Sequence, residues 1–206
     1  LPEGEYLYLV NYYGQLSDSR ISEYKKIYGN IIVDHTHAFF QKPLKGIDTL
    51  YSCRKFWGVS DGAYLSTDAS LTENKTVDYS AERMKHILGR YVQTDIRDKQ
   101  LMTDYKDMLE NAAKYDGMEL RQMSKLTQNL LKAVDYDRAK KKREENYRIL
   151  GELLPSESIF HQTVPEGPFA YPYFPADGMK LRRYLAEKKI FVPTHWKNII
   201  ENSAAK

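Results

Sequence analysis

The sequence predicts an α/β fold built on a mixed, mostly parallel sheet, and three observations carry that prediction. An apolar run over Tyr6–Val10, a helical stretch closed by Gly29 and a second apolar run over Ile31–Val33 give a strand, helix, strand order, which implies a parallel pair joined by a crossover. Two more short apolar runs, Thr49–Ser52 and Gly62–Ser66, are separated only by a loop, so they pair antiparallel and make the sheet mixed. From Tyr79 onward the chain turns helix-rich and charged, and it closes on a second, smaller strand, helix, strand module between Tyr171 and Trp196.

Tyr6-Leu7-Tyr8-Leu9-Val10 is apolar throughout, the pattern of a strand buried on both faces with neighbours on both sides, and the chain therefore reads as beginning mid-fold. Asn11-Tyr12-Tyr13-Gly14 forms a turn. Ser17 or Asp18 can cap a helix through Tyr28, on which Ile21, Tyr24, Ile27 and Tyr28 share a face. Asn11 and Asp34 fall at the carboxyl ends of the first two strands, where ligands sit in open sheets of this kind. Three helices are the simplest reading of Tyr79–Leu150, with Gly89 and Asp116-Gly117 as breakers. The last, Tyr136 to Leu154, reads as a long linker helix. Pro155 ends it. Tyr171-Pro172-Tyr173-Phe174 reads as an edge strand, Gly178–Lys189 as a helix and Ile190–Val192 as a strand. The expected division is 1–134, a linker helix over 135–154, and a small α+β unit over 155–206.

Bulk composition narrows the function classes. The 206 residues are 42% hydrophobic and 29% charged, ordinary for a globular protein, with no bilayer-spanning run and no signal-peptide pattern; a cytoplasmic location without membrane attachment is expected. A net charge of +3 is too small to argue for nucleic acid. One cysteine, Cys53, excludes an internal disulfide framework and any CxxC site. The 17 tyrosines are the larger departure and point to subunit contacts or a ligand cleft.

The most informative pairing is Asp34, leaving the end of the second strand, with Lys55, just before the glycine-bounded loop Gly58–Ala63. This is what a pyridoxal 5'-phosphate site needs: a lysine to form the Schiff base and a carboxylate to keep the pyridine nitrogen protonated. Taken singly, Lys55 reads as a solvated surface lysine and Asp34 as a capping acid. Their spacing within this order of elements reverses the balance.

That order resembles the DegT-type sugar aminotransferases, fold-type I pyridoxal-phosphate enzymes. Val10–Gly14 is similar to the family's Val-(His or Asn)-x-Tyr-Gly strand end, Val33–Ala38 to its Glu-Asp-Ala-Ala-Gln segment, and Lys55 with Gly58–Ala63 to its Schiff-base lysine and glycine loop. Arg121-Gln122-Met123-Ser124 looks like its Arg-Met-Ser stretch, Asp135–Leu150 like its linker helix, and Tyr171–Trp196 like its small C-terminal domain. The resemblance implies the end of a fold-type I large domain plus the small domain. It further implies a homodimer, and transfer of an amino group from an amino-acid donor to a keto sugar, nucleotide-linked. It assigns Lys55 as Schiff-base lysine and proton shuttle, helped to a neutral amine by burial and by Arg54. Asp34 becomes the pyridinium partner, His37 a donor to the cofactor's phenolic oxygen, and Ser52 a phosphate contact. Leu50 stands where the family places a phosphate-binding serine, Leu120 where a partner subunit offers asparagine, and about half of the family's large domain has no counterpart here. The competing expectation is a truncated or degenerate homologue that serves as a non-catalytic interaction module.

The remaining features have plainer readings. His35 and His37 alternate beside Asp34, but His161 and His195 are remote and no metal site is expected. Cys53 has no ordered base and reads as a packed thiol. Lys140–Arg143 is followed by Glu144 and Glu145 and reads as a solvated helix face rather than a nucleic-acid surface.

Overall fold

The structure is a computed structural model that describes residues 1–70, 75–92, 99–154 and 163–193. Four strands lie side by side in chain order: β1 (Leu7–Val10), β2 (Ile31–Asp34), β3 (Asp48–Ser52) and β4 (Ala63–Ser66). The first three are parallel, with Val10 opposite Asp34 and Asp34 opposite Leu50, and β4 runs antiparallel to β3 with Leu50 opposite Leu65. The mixed α/β character expected from the sequence is therefore present.

Helix α1 (Asp18–Tyr28) forms where its caps dictate. The Ser17 hydroxyl accepts the Arg20 N–H at 3.3 Å, and Gly29 closes the helix at φ 72°, a conformation that side-chain-bearing residues resist. Its Ile21, 1% exposed, packs with Ile31, Val33 and Ile47, and Leu7, Leu9, Leu16 and Leu44 extend this cluster. Because side chains alternate along a strand, one face of the sheet is closed by these residues with Thr49 and Tyr51. The opposite face carries Tyr8, Ile32, Asp34, Leu50, Ser52 and Leu65, which remain half-buried or exposed. Among the described residues β1 is hydrogen-bonded to β2 alone, and Tyr8 is 51% exposed. Its continuous apolar run is shared between the closed and the open face, which sequence pattern does not separate from two-sided burial.

Among the described residues the helical region holds four α-helices rather than three: α2 (Lys85–Val92), α3 (Lys99–Ala113), α4 (Lys125–Lys132) and α5 (Tyr136–Leu153), with a 3-10 turn at Ala81–Met84. Gly89 lies inside α2 and does not break it. Gly117, at φ 73°, falls just beyond α3, and Ser124 starts a separate α4 by accepting the Thr127 N–H at 3.1 Å. Helix α6 (Gly178–Glu187) is capped by Asp177, whose carboxylate accepts the Lys180 N–H at 2.9 Å.

Neither expected C-terminal strand forms. Tyr171–Phe174 is irregular: Pro172 has no N–H to give, and Tyr171 packs edge-on to Tyr147 of α5 at 5.0 Å. Ile190–Val192 is irregular too. Lys189 adopts φ 60°, and the Ile190 N–H turns back to the Leu185 carbonyl at 2.8 Å, closing α6 with a donor that a strand would have used.

Residues 163–172 instead form a strap over the carboxyl ends of β1 and β2. Arg143 of α5 donates to the Pro168 and Phe169 carbonyls at 3.2 and 3.4 Å and lies over the Phe56 ring, 4.8 Å from its centre. Glu144 accepts the Gly167 N–H at 3.2 Å, and Lys140 pairs with Glu166 at 2.5 Å. Gly167, at φ 49°, is seated so tightly that an added Cβ falls 2.7 Å from Phe40 Cγ. Gly167→Ala is expected to cost about 2 kcal/mol through overpacking and left-handed strain, read as a lower urea midpoint at unchanged slope.

Candidate functional site

Asp34 ends β2 on the open face of the sheet. One carboxylate oxygen accepts the Tyr8 hydroxyl at 2.8 Å and the other the Thr36 N–H at 2.7 Å. The phenol responds to burial and then to the hydrogen bond and charge of Asp34, which push its pKa up to about 12 and keep it protonated as the donor. Ser52 ends β3 on the same face, two positions beyond Leu50, which sits directly opposite Asp34. A 3-10 turn over Cys53–Lys55 follows, and it leaves Lys55 exposed rather than buried. Arg54 turns to the Tyr115 ring, 4.7 Å from its centre.

His37 is only 8% exposed. Its ring stacks on Phe169 of the strap at 4.4 Å and 11°, with Tyr13 on another side at 5.4 Å. Tyr13 holds φ 56° within the turn after β1, a conformation costly for a residue with a side chain. The structure thus brings Asp34 and Ser52 to one face and one edge, with Lys55 on the next turn, and packs His37 into an aromatic stack. Cys53 is fully buried with its thiol pushed up to about 12 by burial and then by Asp61, so it is inert packing.

Two polar centres escaped the sequence reading. The first joins the strand ends: buried Asn11 donates to Gln41 Oε1 at 2.7 Å, lies 3.2 Å from His35 Nδ1, and accepts the Leu16 N–H at 2.8 Å. Burial drives the His35 imidazole down to about 4, against the opposing pull of Asp18 and Asp34. The second is Asp61, 3% exposed, which accepts the Ser124 N–H at 2.8 Å, the Ser124 hydroxyl at 2.9 Å and the Thr127 hydroxyl. An Asp-Gly pair after a short loop reads locally as turn chemistry, and nothing near it in sequence names the helix start 63 residues away that it binds.

A bound pyridoxal phosphate requires an acid at the ring nitrogen, an amine at the aldehyde carbon and donors around the phosphate. Asp34 fits the first by chemistry and by its place at the end of β2, Lys55 fits the second by chemistry and stands exposed three residues beyond the end of β3, and the Ser52 hydroxyl fits part of the third. Two open cavities of about 510 and 210 Å³ lie elsewhere, the larger against Asp135, Arg138 and Lys142 at the start of α5 and the smaller beside Leu44, Gly46 and Thr67. Among the described residues no group of three or more His, Cys, Asp or Glu side chains is placed to hold a metal ion, and no helix is long and apolar enough to cross a membrane. His161 and His195 lie outside the described residues. Compared with family models, curated proteins and solved structures, the chain matches none.

Proposed function

We propose that this chain carries the acid-and-lysine part of a pyridoxal-phosphate aminotransferase site, acting between an amino-acid donor and a keto sugar, nucleotide-linked. The observation that supports this reading is the joint emergence of Asp34 and Ser52 at the carboxyl ends of adjacent parallel strands on one open face, with Lys55 on the turn that follows. When bound, the cofactor supplies an electron sink for the donor's α-carbon. Asp34 holds a proton at the ring nitrogen, and Tyr8 and Thr36 fix the orientation of its carboxylate. Lys55 supplies the amine and moves the proton at the α-carbon. Ser52 donates to phosphate. His37, stacked on Phe169, supports the strap.

The test is reductive labelling. The purified chain is mixed with pyridoxal phosphate, its near-ultraviolet and visible spectrum recorded, borohydride added, and the labelled peptide identified by mass spectrometry. Label concentrated on Lys55, lost in Lys55→Ala with unchanged circular dichroism and reduced at least tenfold in Asp34→Ala, is the expected result. Label spread evenly over the surface lysines overturns the reading and leaves the non-catalytic interaction module.

A further inference from the structure

One guanidinium on α5 grips the turn that carries Lys55. Lys55 takes no hydrogen bond or ion pair among the described residues, so the backbone of its 3-10 turn alone aims its amine. The turn is tied at its start, where buried Cys53 donates its N–H to the Gly62 carbonyl at 3.1 Å. At its end stands Phe56, 7% exposed, whose N–H returns to the Cys53 carbonyl at 3.2 Å. The Phe56 carbonyl accepts from Arg143 Nη2 at 3.4 Å, and the guanidinium lies over the Phe56 ring. The other nitrogen, Nη1, donates to the Pro168 and Phe169 carbonyls of the strap. Phe169 in turn meets the Phe56 ring at 5.5 Å. One position after Lys55, ring and carbonyl of a single residue are thus held by α5 and the strap together.

The partners of Arg143 are three carbonyls and a ring; among the described residues no carboxylate pairs with it. Its neighbours Glu144 and Glu145 are engaged elsewhere, with the Gly167 N–H at 3.2 Å and with Lys142 at 2.8 Å. Burial lowers its pKa from the ordinary arginine value, so the surroundings oppose the charge. A methionine fills similar space without that cost, but only a planar fork with donors on two nitrogens joins a carbonyl of the turn to two carbonyls of the strap. We propose that Arg143 is a positioning residue for Lys55, which fastens the Lys55 turn to the strap through the carbonyls of Phe56, Pro168 and Phe169, so that turn and strap hold and open as one unit. The strap also reaches the segments that follow the other two parallel strands. Buried Pro165 sits against Gly14 after β1, and Phe169 stacks on His37 after β2. A displacement of the strap therefore changes the aim of the lysine amine. Its bearing on an amine that reacts rests on the aminotransferase reading; its bearing on the turn and the strap does not.

The experiment is amide hydrogen exchange of the full chain without cofactor, for the wild type, Arg143→Met and Arg143→Lys. Methionine keeps the apolar stem, and lysine keeps the charge as a single point without the fork. The reporters are the Phe56 and Trp57 amides, both bonded to the Cys53 carbonyl, and the Gly167 amide, bonded to Glu144. In both variants these are expected to exchange roughly tenfold faster relative to the β2 amides, which report global unfolding. Faster exchange in the strap alone, in the turn alone or in neither overturns the proposal. The same three proteins are then treated with pyridoxal phosphate and borohydride. Label at Lys55 is expected to fall roughly tenfold in both variants, while label at the exposed Lys26 of α1 stays unchanged. Equal labelling of Lys55 in wild type and variants overturns the positioning role and leaves the aminotransferase reading standing. A wild type without selective label at Lys55 overturns that reading, and the exchange rates alone then decide whether Arg143 holds the turn. If Arg143→Met fails to fold, Arg143→Lys decides.

Discussion

Asp61→Ala is expected to lower the folding stability by about 3 kcal/mol, a large part of what holds a domain of this size together. The carboxylate is 3% exposed and collects the Ser124 N–H, the Ser124 hydroxyl and the Thr127 hydroxyl, while Ser124 and Thr127 are themselves almost fully buried. Truncation strands these donors in a site closed to water. The Ser124 hydroxyl also lies 2.7 Å from the Ser80 hydroxyl, and Ser60 donates to the Ser80 carbonyl at 3.2 Å, so the loss spreads along a connected network. Burial raises the Asp61 pKa, but the hydrogen bonds from Thr127, Ser124 and Ser80 outweigh it and hold the group below its ordinary value. Its ionised form is therefore the one the fold uses.

The same residue fixes the loop that carries Lys55. The Cys53 N–H donates to the Gly62 carbonyl at 3.1 Å and Tyr115 donates to the Ser60 carbonyl at 2.5 Å, so the loop is closed on itself, tied to the end of the α3 region and, through Asp61, anchored on the first turn of α4. Asp61→Asn keeps the shape and one acceptor but turns an N–H₂ toward groups that also donate. A loss of about half that of alanine is expected. Urea unfolding monitored by tryptophan fluorescence measures both; a change under about 0.5 kcal/mol for alanine, the range of ordinary surface substitutions, would show that the network is not what holds the loop.

How much of this was legible in the sequence depends on how local the physics is. Ser17, Gly29 and the apolar positions of α1 specify their helix within a dozen residues, and the bounds expected there match those observed. The antiparallel β3–β4 pair was equally readable from the short loop between them. By contrast, the apolar run at β1 fits an edge strand and a central strand alike, because pattern reports how apolar a segment is and not how many neighbours it has. The C-terminal strands failed for a related reason. Tyr171, Phe191 and their neighbours have strand-like composition, but no described strand offers them a ladder, and Lys189 and Pro172 direct the backbone elsewhere.

At the site, the positions of Asp34 and Ser52 followed from strand ends alone, since register carries both residues to one edge. The placement of His37 did not. Its stacking on Phe169 depends on a strap 132 residues later, held by Arg143 and Glu144. Asp61 and His35 show the same limit. Both are polar residues whose partners lie across the fold, and their burial becomes visible only when those partners are in place.

Acid is expected to weaken the fold through His35 before it acts on the carboxylates. Asn11 Nδ2 lies within reach of Gln41 Oε1 at 2.7 Å, His35 Nδ1 at 3.2 Å and the Leu16 carbonyl at 3.4 Å, so an unprotonated Nδ1 can accept from it. Protonation of Nδ1 sets two donors against each other in a site where the ring is 1% exposed. Asp18 and Asp34 favour the cation but do not overcome burial, and the folded pKa is about 4 against an ordinary 6.5. A base whose folded pKa is depressed binds its proton more readily when unfolded, so stability is full above pH 6.5, falls as pH drops below that value, and stops falling through this group below about pH 4. The difference corresponds to roughly 3 kcal/mol. Asp61 acts in a lower window, because a depressed carboxylate loses its contribution only as pH falls through its folded value, below 3.8. Unfolding midpoints between pH 7 and pH 4 for wild type and His35→Gln separate the two. The variant is expected to start lower and to lose at least 2 kcal/mol less across that interval, and parallel curves would place the acid sensitivity elsewhere.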